Sequence, residues 1–119
     1  MAKHHEVGKE GENVAVDFLI KRGYEILARN YFAEKTELDI VALKDNILVF
    51  VEVKTRSSLD FGTPQGFVNN RKIKLLIKAA NLFITEFERE EEVRFDIIGI
   101  YKKGETFDIE HIEDAFYFF

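Results

Sequence analysis

The chain has 119 residues, with 17 Lys and Arg against 22 Asp and Glu, so its formal net charge is −5. This acidity excludes a generally basic nucleic-acid coat protein, but it is compatible with a local basic surface. The sequence contains no cysteine, which excludes disulfides, thiolate catalysis and cysteine-based zinc sites. There is no apolar run of membrane-spanning length and no apolar signal core near Met1, so we expect one cytoplasmic domain over residues 1–119.

The first predicted element is a helix between His5 and Arg22. Apolar residues recur there at three- and four-residue spacing, which is typical of a helix with one buried face. Gly23 supplies a C-terminal stop, whereas Gly8 and Gly11 lower the helix propensity of the first turns. The apolar positions are Val7, Val14, Ala15, Phe18 and Leu19.

Three strands are predicted next, over Tyr24–Tyr31, Glu37–Lys44 and Ile47–Thr55. Short runs rich in β-branched and aromatic residues favour strands in each of these segments. The third run is apolar at consecutive positions until Glu52, so both of its faces should be covered. We therefore expect it to lie centrally in the sheet.

A loop is predicted over Arg56–Gly66, because this segment combines serines, glycines and the only proline. A second helix should follow, with Asn69 or Asn70 as its N-cap. Strands are then predicted over Arg94–Tyr101 and Thr106–Ile112, joined by a turn at Lys102–Glu105. The order α-β-β-β-α-β-β predicts an α/β protein with a mixed sheet and helices against its faces. The apolar stripe of the second helix comprises Ile73, Leu76, Ile77, Ala80, Phe83, Ile84 and Phe87.

Charge is unevenly distributed along the chain. Residues 54–78 hold six basic side chains and one acidic, whereas the flanking segments are net acidic. Such a basic segment can be an ordinary exposed helix face or a surface that attracts a phosphate backbone, and both interpretations stay open here. The candidate nucleic-acid-binding residues are Arg56, Arg71, Lys72, Lys74 and Lys78.

The second and third strands should form a hairpin with Asp45 and Asn46 as its loop, because Asn tolerates the positive φ of a tight turn. In that register Asp39 faces Glu52 and Glu37 faces Lys54, with directly opposed Cβ atoms about 5 Å apart. Two carboxylates at that separation can share one cation.

Two alternative interpretations of this hairpin stay open. A three-residue loop would send Asp39 and Glu52 to opposite faces unless a bulge restored them. The four charged residues can also be a simple set of cross-strand ion pairs, which stabilises little when exposed. The two-residue loop is favoured because the alternative register buries isolated carboxylates, which is costly.

The acids fit the needs of a metal-dependent phosphodiester hydrolase. Mg²⁺ prefers carboxylate and carbonyl oxygens, so Asp39, Glu52, the Val53 carbonyl and Glu37 are candidate ligands. A bound ion would activate water and offset charge on the phosphate. Lys54 is a candidate for orienting that water or stabilising the oxyanion. Glu12 lies on the inward helix face and could complete the acidic site; as an alternative, it is a solvated helix residue.

An ordered series of motifs extends from about Gly8 to Ala115. Together these motifs resemble the YraN-type family of predicted bacterial endonucleases, which is similar to archaeal Holliday junction resolvases. The motifs are Gly8-x-x-Gly11-Glu12-x-x-Ala15, Gly23-Tyr24, Arg29-Asn30, Glu37-Leu38-Asp39-Ile40-Val41-Ala42, Phe50-Val51-Glu52-Val53-Lys54-Thr55-Arg56, Phe61-Gly62, Lys72 and Arg94-Phe95-Asp96.

This resemblance implies a restriction-endonuclease-like, PD-(D/E)XK fold. Asp39 with Glu52-Val53-Lys54 corresponds to the acidic and lysine core of that fold, and Glu12 to its helical acid. The resemblance implies a Mg²⁺- or Mn²⁺-dependent deoxyribonuclease with DNA as partner, including branched DNA of the Holliday-junction kind. The catalytic residues would be Asp39, Glu52, Lys54 and Glu12.

Two other classes of function stay open at this stage. The same fold can bind nucleic acid without cleaving it. Alternatively, the apolar terminus Phe116–Phe119 can cover the core or a partner surface, including that of a homodimer. Asp96 is expected to pair with Arg94 or cap a strand, and the histidines at positions 4, 5 and 111 have no spacing that indicates a site.

Overall fold

The structure is a computed structural model that describes residues 2–56 and 69–116, with side chains from residue 8 onward. It confirms an α/β fold of two helices and five strands. The described part contains no helix with the length and apolar character needed to cross a membrane. The elements are α1 (Ala2–Lys21), β1 (Glu25–Ala33), β2 (Thr36–Lys44), β3 (Ile47–Arg56), α2 (Asn70–Glu86), β4 (Glu92–Lys103) and β5 (Thr106–Phe116).

The predicted elements are all present, and their ends differ by a few residues. The strand β5 continues to Phe116 instead of ending at Ile112, and Arg56 ends β3 instead of opening the loop. Strand ends depend on pairing with a neighbour, which residue propensity does not report. The rest of the predicted loop, residues 57–66, and the terminal residues 117–119 lie outside the described residues.

The five strands form one sheet in the order β1-β2-β3-β4-β5. Pairing is antiparallel except between β3 and β4, which run parallel. A parallel pair needs a long crossover connection, and α2 lies within it. The sheet is therefore mixed, and β3 occupies its centre as its apolar sequence predicts.

The loop between β2 and β3 consists of Asp45 and Asn46, with φ values of 52° and 63°. The paired residues run from Lys44 with Ile47 to Ile40 with Val51. This register confirms the two-residue loop, but it stops one residue short of Asp39 and Glu52. Neither predicted opposition, Asp39 with Glu52 or Glu37 with Lys54, is therefore part of the paired ladder.

Each face of the sheet is covered by one helix, which produces two hydrophobic cores. On the α1 face, Ala15 and Leu19 pack with the inward residues of the sheet in one cluster. On the α2 face, Leu76 and Phe83 pack around Phe50 in the other cluster. The predicted helical stripes account for both contacts, because residues three and four apart share one helix face.

A close contact between α1 and β3 fixes the position of the first helix. A Cβ added at Gly11 would lie 2.0 Å from Thr55 Oγ1, so only glycine permits this approach. The contact places the next residue, Glu12, beside the C-terminal end of β3. The close approach to Thr55 therefore explains why a residue of low helix propensity occupies position 11.

Asp96 on β4 is a fully buried carboxylate with several donors. Arg94 donates to both of its oxygens at 2.9 Å, which confirms the expected pair. His111 Nε2 lies 2.7 Å from Oδ2, and the Asp114 N–H donates to Oδ1 at 3.0 Å. Burial raises the pKa of Asp96, but these hydrogen bonds hold it below its usual range. The contacts join β4 to β5 and give His111 a structural partner.

We predict that Gly11→Ala destabilises the protein by about 1–3 kcal/mol, because the new methyl group forces α1 away from Thr55. Gly8→Ala is the matched control, since an added Cβ at Gly8 meets nothing within 4 Å. It should be neutral or stabilising by up to about 1 kcal/mol through helix propensity. Urea denaturation of both variants measures the difference; equal stabilities would contradict the close approach.

Candidate functional site

Asp39 lies at a break in the alternation of β2. Leu38 and Ile40 belong to different cores, although residues two apart in a regular strand share a face. Across from Asp39, Asn30 of β1 has a φ of 53°, and the regular pairs flank it on both sides. The Asp39 side chain therefore leaves the regular pleat, and Oδ2 accepts a hydrogen bond from the Val53 N–H at 2.8 Å.

Glu52 is a buried acid next to Asp39, with a side chain only 5% exposed. Its Oε2 lies 3.5 Å from Lys54 Nζ and 3.7 Å from Lys72 Nζ. Its other oxygen, Oε1, is buried and has no hydrogen-bond partner among the described residues. A buried carboxylate oxygen without a donor is costly, so Oε1 is a candidate contact for a further ligand.

Two elements, α1 and β2, contribute carboxylates to one cluster. Ligand oxygens of Glu12, Glu37 and Asp39 lie within 4.8 Å of one another. Glu12 points inward as expected, with 17% of its side chain exposed. Its Oε1 accepts hydrogen bonds from Arg29 Nη2 and Asn30 Nδ2, both at 2.9 Å.

Burial and the neighbouring acids together raise the pKa of the Asp39 carboxyl to about 8. Burial is the largest cause of this shift, and the charge of Glu52 acts in the same direction. The Val53 N–H opposes this shift by stabilising the charged form. Without a cation, the Asp39 carboxyl therefore retains a proton near neutral pH.

A cleft of about 630 Å³ opens over Glu12, Glu37 and Asp39, whereas Glu52 is not among its lining residues. Its lining combines carboxylates with basic side chains, so an anionic ligand could enter beside the acidic cluster. The basic lining residues come from α1, β1 and β3, and they are Lys9, Arg29, Lys54 and Arg56.

The structure distributes the predicted basic residues over different surroundings. Arg56 lines the cleft, and Lys72 contacts Glu52. Lys78 pairs with Glu34 at 2.7 Å, while Arg71 and Lys74 are exposed on α2. The five residues thus form no single described cluster, and their contact with nucleic acid stays a prediction.

Sequence reasoning did not assign Lys9, Arg29 and Asn30 to the site. Arg29 and Asn30 occur together in the motif series, but a motif does not show which side chain a residue contacts. The residue type at position 30 is a local signal, because asparagine tolerates a positive φ better than most residues, and Asn30 adopts such a φ.

The oxygens present here fit a hard divalent cation. Asp39 and the unpartnered Glu52 Oε1 supply carboxylate oxygens, with Glu12 and Glu37 close to Asp39. Mg²⁺ and Mn²⁺ take such ligands together with water and phosphate oxygens. The other acidic group, Asp96 with His111 and Glu113, is a poorer fit because Arg94 donates to both oxygens of Asp96.

Comparison with known proteins identifies a family and several relatives that match over their whole length. The sequence profile of the uncharacterised protein family UPF0102 matches residues 11–100. A UPF0102 protein of Flavobacterium psychrophilum is 56% identical over 119 residues, covering 100% of both chains. One from Flavobacterium johnsoniae is 57% identical over 123 residues with the same coverage, and one from Christiangramia forsetii is 50% identical over 119 residues, again covering 100% of both chains.

Among solved structures, the chain is similar to Pyrococcus furiosus SfsA in complex with Ca²⁺, with a TM-score of 0.32 and 15% identity. The similarity covers 92% of this chain, which spans 63% of that chain's length.

We predict that the metal-free protein loses stability as pH rises from about 4 to about 8. In this range folded Asp39 keeps a proton that the unfolded chain has released, so folding becomes less favourable. Asp39→Asn imitates the protonated form. Between pH 5 and pH 9, its free energy of unfolding should therefore rise by at least about 1 kcal/mol relative to that of the wild type. Urea denaturation in EDTA measures this gain. Asp17→Asn, at an exposed position, is the control; a parallel pH profile for Asp39→Asn would refute the shift.

Proposed function

The chain belongs to the uncharacterised protein family UPF0102, and we propose that it is a metal-dependent endonuclease that hydrolyses phosphodiester bonds in DNA. The proposal assigns its five-stranded sheet and two helices to the PD-(D/E)XK nuclease-like fold. Its substrates would include branched DNA of the Holliday-junction kind, as the motif resemblance implies.

The observation that carries this proposal is the arrangement around Glu52. Its buried Oε1 has no partner among the described residues, Lys54 lies 3.5 Å from Oε2, and the charge of Glu52 contributes to the raised pKa of the neighbouring Asp39. A set of simple surface ion pairs would not require a buried, unpartnered carboxylate oxygen. Asp39 and Glu52 would hold a divalent cation, which would satisfy that oxygen and offset the repulsion between the two acids.

Asp39, Glu52 and the Val53 carbonyl would hold the Mg²⁺ or Mn²⁺ ion, with Glu37 and Glu12 beside them. When bound, the ion supplies an activated water and compensates charge on the phosphate. The Val53 N–H keeps Asp39 oriented, because it donates to Oδ2 at 2.8 Å. Lys54 lines the cleft and carries the cationic head that can orient the water or stabilise the oxyanion.

The basic residues of the cleft explain how a net acidic chain would receive DNA. Lys9, Arg29 and Arg56 line the same opening as the acids, so a phosphate group would meet cations at its edge. Arg71 and Lys74 on α2 would add exposed charge, and Lys72 and Lys78 would exchange their present carboxylate partners for phosphates. Binding through these residues should weaken steeply with salt.

We predict that purified protein with Mg²⁺ or Mn²⁺ cleaves at least one of linear duplex, single-stranded and four-way-junction DNA. Asp39→Asn, Glu52→Gln and Lys54→Ala should each lower the single-turnover rate at least about 100-fold, because each removes a metal ligand or charge stabilisation at the reacting phosphate. Asp17→Asn, an exposed carboxylate on α1, should retain the wild-type rate.

Circular dichroism of each variant checks that it is folded. Cleavage that persists unchanged in Asp39→Asn and Glu52→Gln would refute the assigned site. Salt-sensitive DNA binding without cleavage of any of the three substrates would instead favour the non-catalytic nucleic-acid-binding module. At the aromatic terminus, Phe116 stacks on core residue Phe95 with ring centroids 5.0 Å apart. Residues 117–119 lie outside the described residues, so an interaction through this terminus stays a prediction.

A further inference from the structure

Lys72 occupies an unusual position for a lysine. It lies in the first turn of α2, where its N–H donates to the N-cap side chain of Asn69 at 2.9 Å. The positive end of the helix dipole disfavours a cation in this turn, and α2 has no acidic residue there. A compensating interaction elsewhere is therefore expected.

That interaction is with Glu52. The Lys72 Nζ lies 3.7 Å from Glu52 Oε2 and donates to Thr36 Oγ1 at 3.2 Å. The Lys72 side chain is 33% exposed, whereas Glu52 is 5% exposed and Thr36 is buried. The ammonium thus approaches a buried acid from α2, while Lys54 approaches the same oxygen from the cleft.

Two ammonium groups at one oxygen leave the other oxygen of Glu52 without a partner among the described residues. A divalent cation bound to Asp39 and Glu52 would bring two more positive charges to the same carboxylate. Like charges that share one carboxylate in a partly buried site repel each other, so Lys72 and the cation would compete for Glu52. Thr36 Oγ1 gives the ammonium a hydrogen bond that it can keep when the cation is present.

We propose that Lys72 is a placeholder for the metal ion: it balances and orients Glu52 before the ion binds, and it thereby lowers the affinity of the site. This inference rests on the metal site of the proposed function, and it makes Lys72 a positioning residue. Its role as a phosphate contact would be secondary. The acids of the site are therefore already in position in the metal-free protein. The site binds its cation more weakly than the same acids would bind it without Lys72.

The test compares variants at Lys72 with a matched control. Lys72→Met keeps the apolar stem and removes the charge, Lys72→Gln is a second neutral variant should the first not fold, and Lys72→Arg keeps the charge. Lys35→Met makes the same charge change at an exposed residue beside Thr36. Mn²⁺ alone is titrated into each metal-free protein by calorimetry, without DNA.

The neutral Lys72 variants should bind Mn²⁺ about tenfold more tightly than the wild type, because the competing cation is gone. Lys72→Arg and Lys35→Met should stay within about twofold of the wild type. In EDTA, Lys72→Met should melt at a lower temperature than Lys35→Met, and saturating Mn²⁺ should narrow this gap, since the ion then balances Glu52. A purely structural lysine would not produce tighter metal binding.

Mn²⁺ affinity in the neutral variants that is equal to or weaker than that of Lys35→Met would overturn the proposal. The same holds if Lys72→Arg binds as tightly as Lys72→Met, or if neither the wild type nor a neutral variant binds Mn²⁺. Absence of DNA cleavage by a wild-type protein that binds Mn²⁺ would count against the proposed function alone. Mn²⁺ binding by Lys72→Met but not by the wild type would support the placeholder role.

Discussion

The hydrogen bond from the Val53 N–H to Asp39 Oδ2 is the interaction on which the candidate site depends. At this point the backbone pairing of β2 with β3 ends, and a side-chain carboxylate takes the place of a backbone carbonyl as the acceptor. Asp39 is thereby held where the charge of Glu52 contributes to its raised pKa. A regular ladder would satisfy the Val53 N–H without help from a side chain, and it would leave Asp39 in the ordinary alternation of the strand.

The electrostatic cost of burying neighbouring carboxylates accounts for the charged residues around this contact. Two adjacent, poorly solvated carboxylates cannot both be charged without compensation, and the raised pKa of Asp39 reflects this. Lys54 and Lys72 provide part of the compensation at Glu52, and Arg29 provides it at Glu12. The net charge of −5 therefore says little about the cleft itself, where acids and bases alternate over short distances.

The helices place charges on the central strands from opposite faces of the sheet. Through the contact of Gly11 with Thr55, α1 brings Glu12 to Asp39 and Glu37. From the other face, α2 brings Lys72 to Glu52 and Thr36. The two hydrophobic cores hold these helices in place, so the stability of the packing and the geometry of the acids are connected.

Much of this structure follows from local patterns in the sequence. Helical stripes, short β-rich runs and the Asp45-Asn46 turn determined the elements, the central place of β3 and the register of the β2–β3 hairpin, because each depends on residues close together in the chain. The same patterns placed Asp39 near Glu52. Only the tertiary structure decided the break at Asp39, the contact of Lys72 with Glu52 and the pairing of Arg29 with Glu12. These depend on the distance and angle at which elements far apart in sequence pack, and residue spacing carries no information about either quantity.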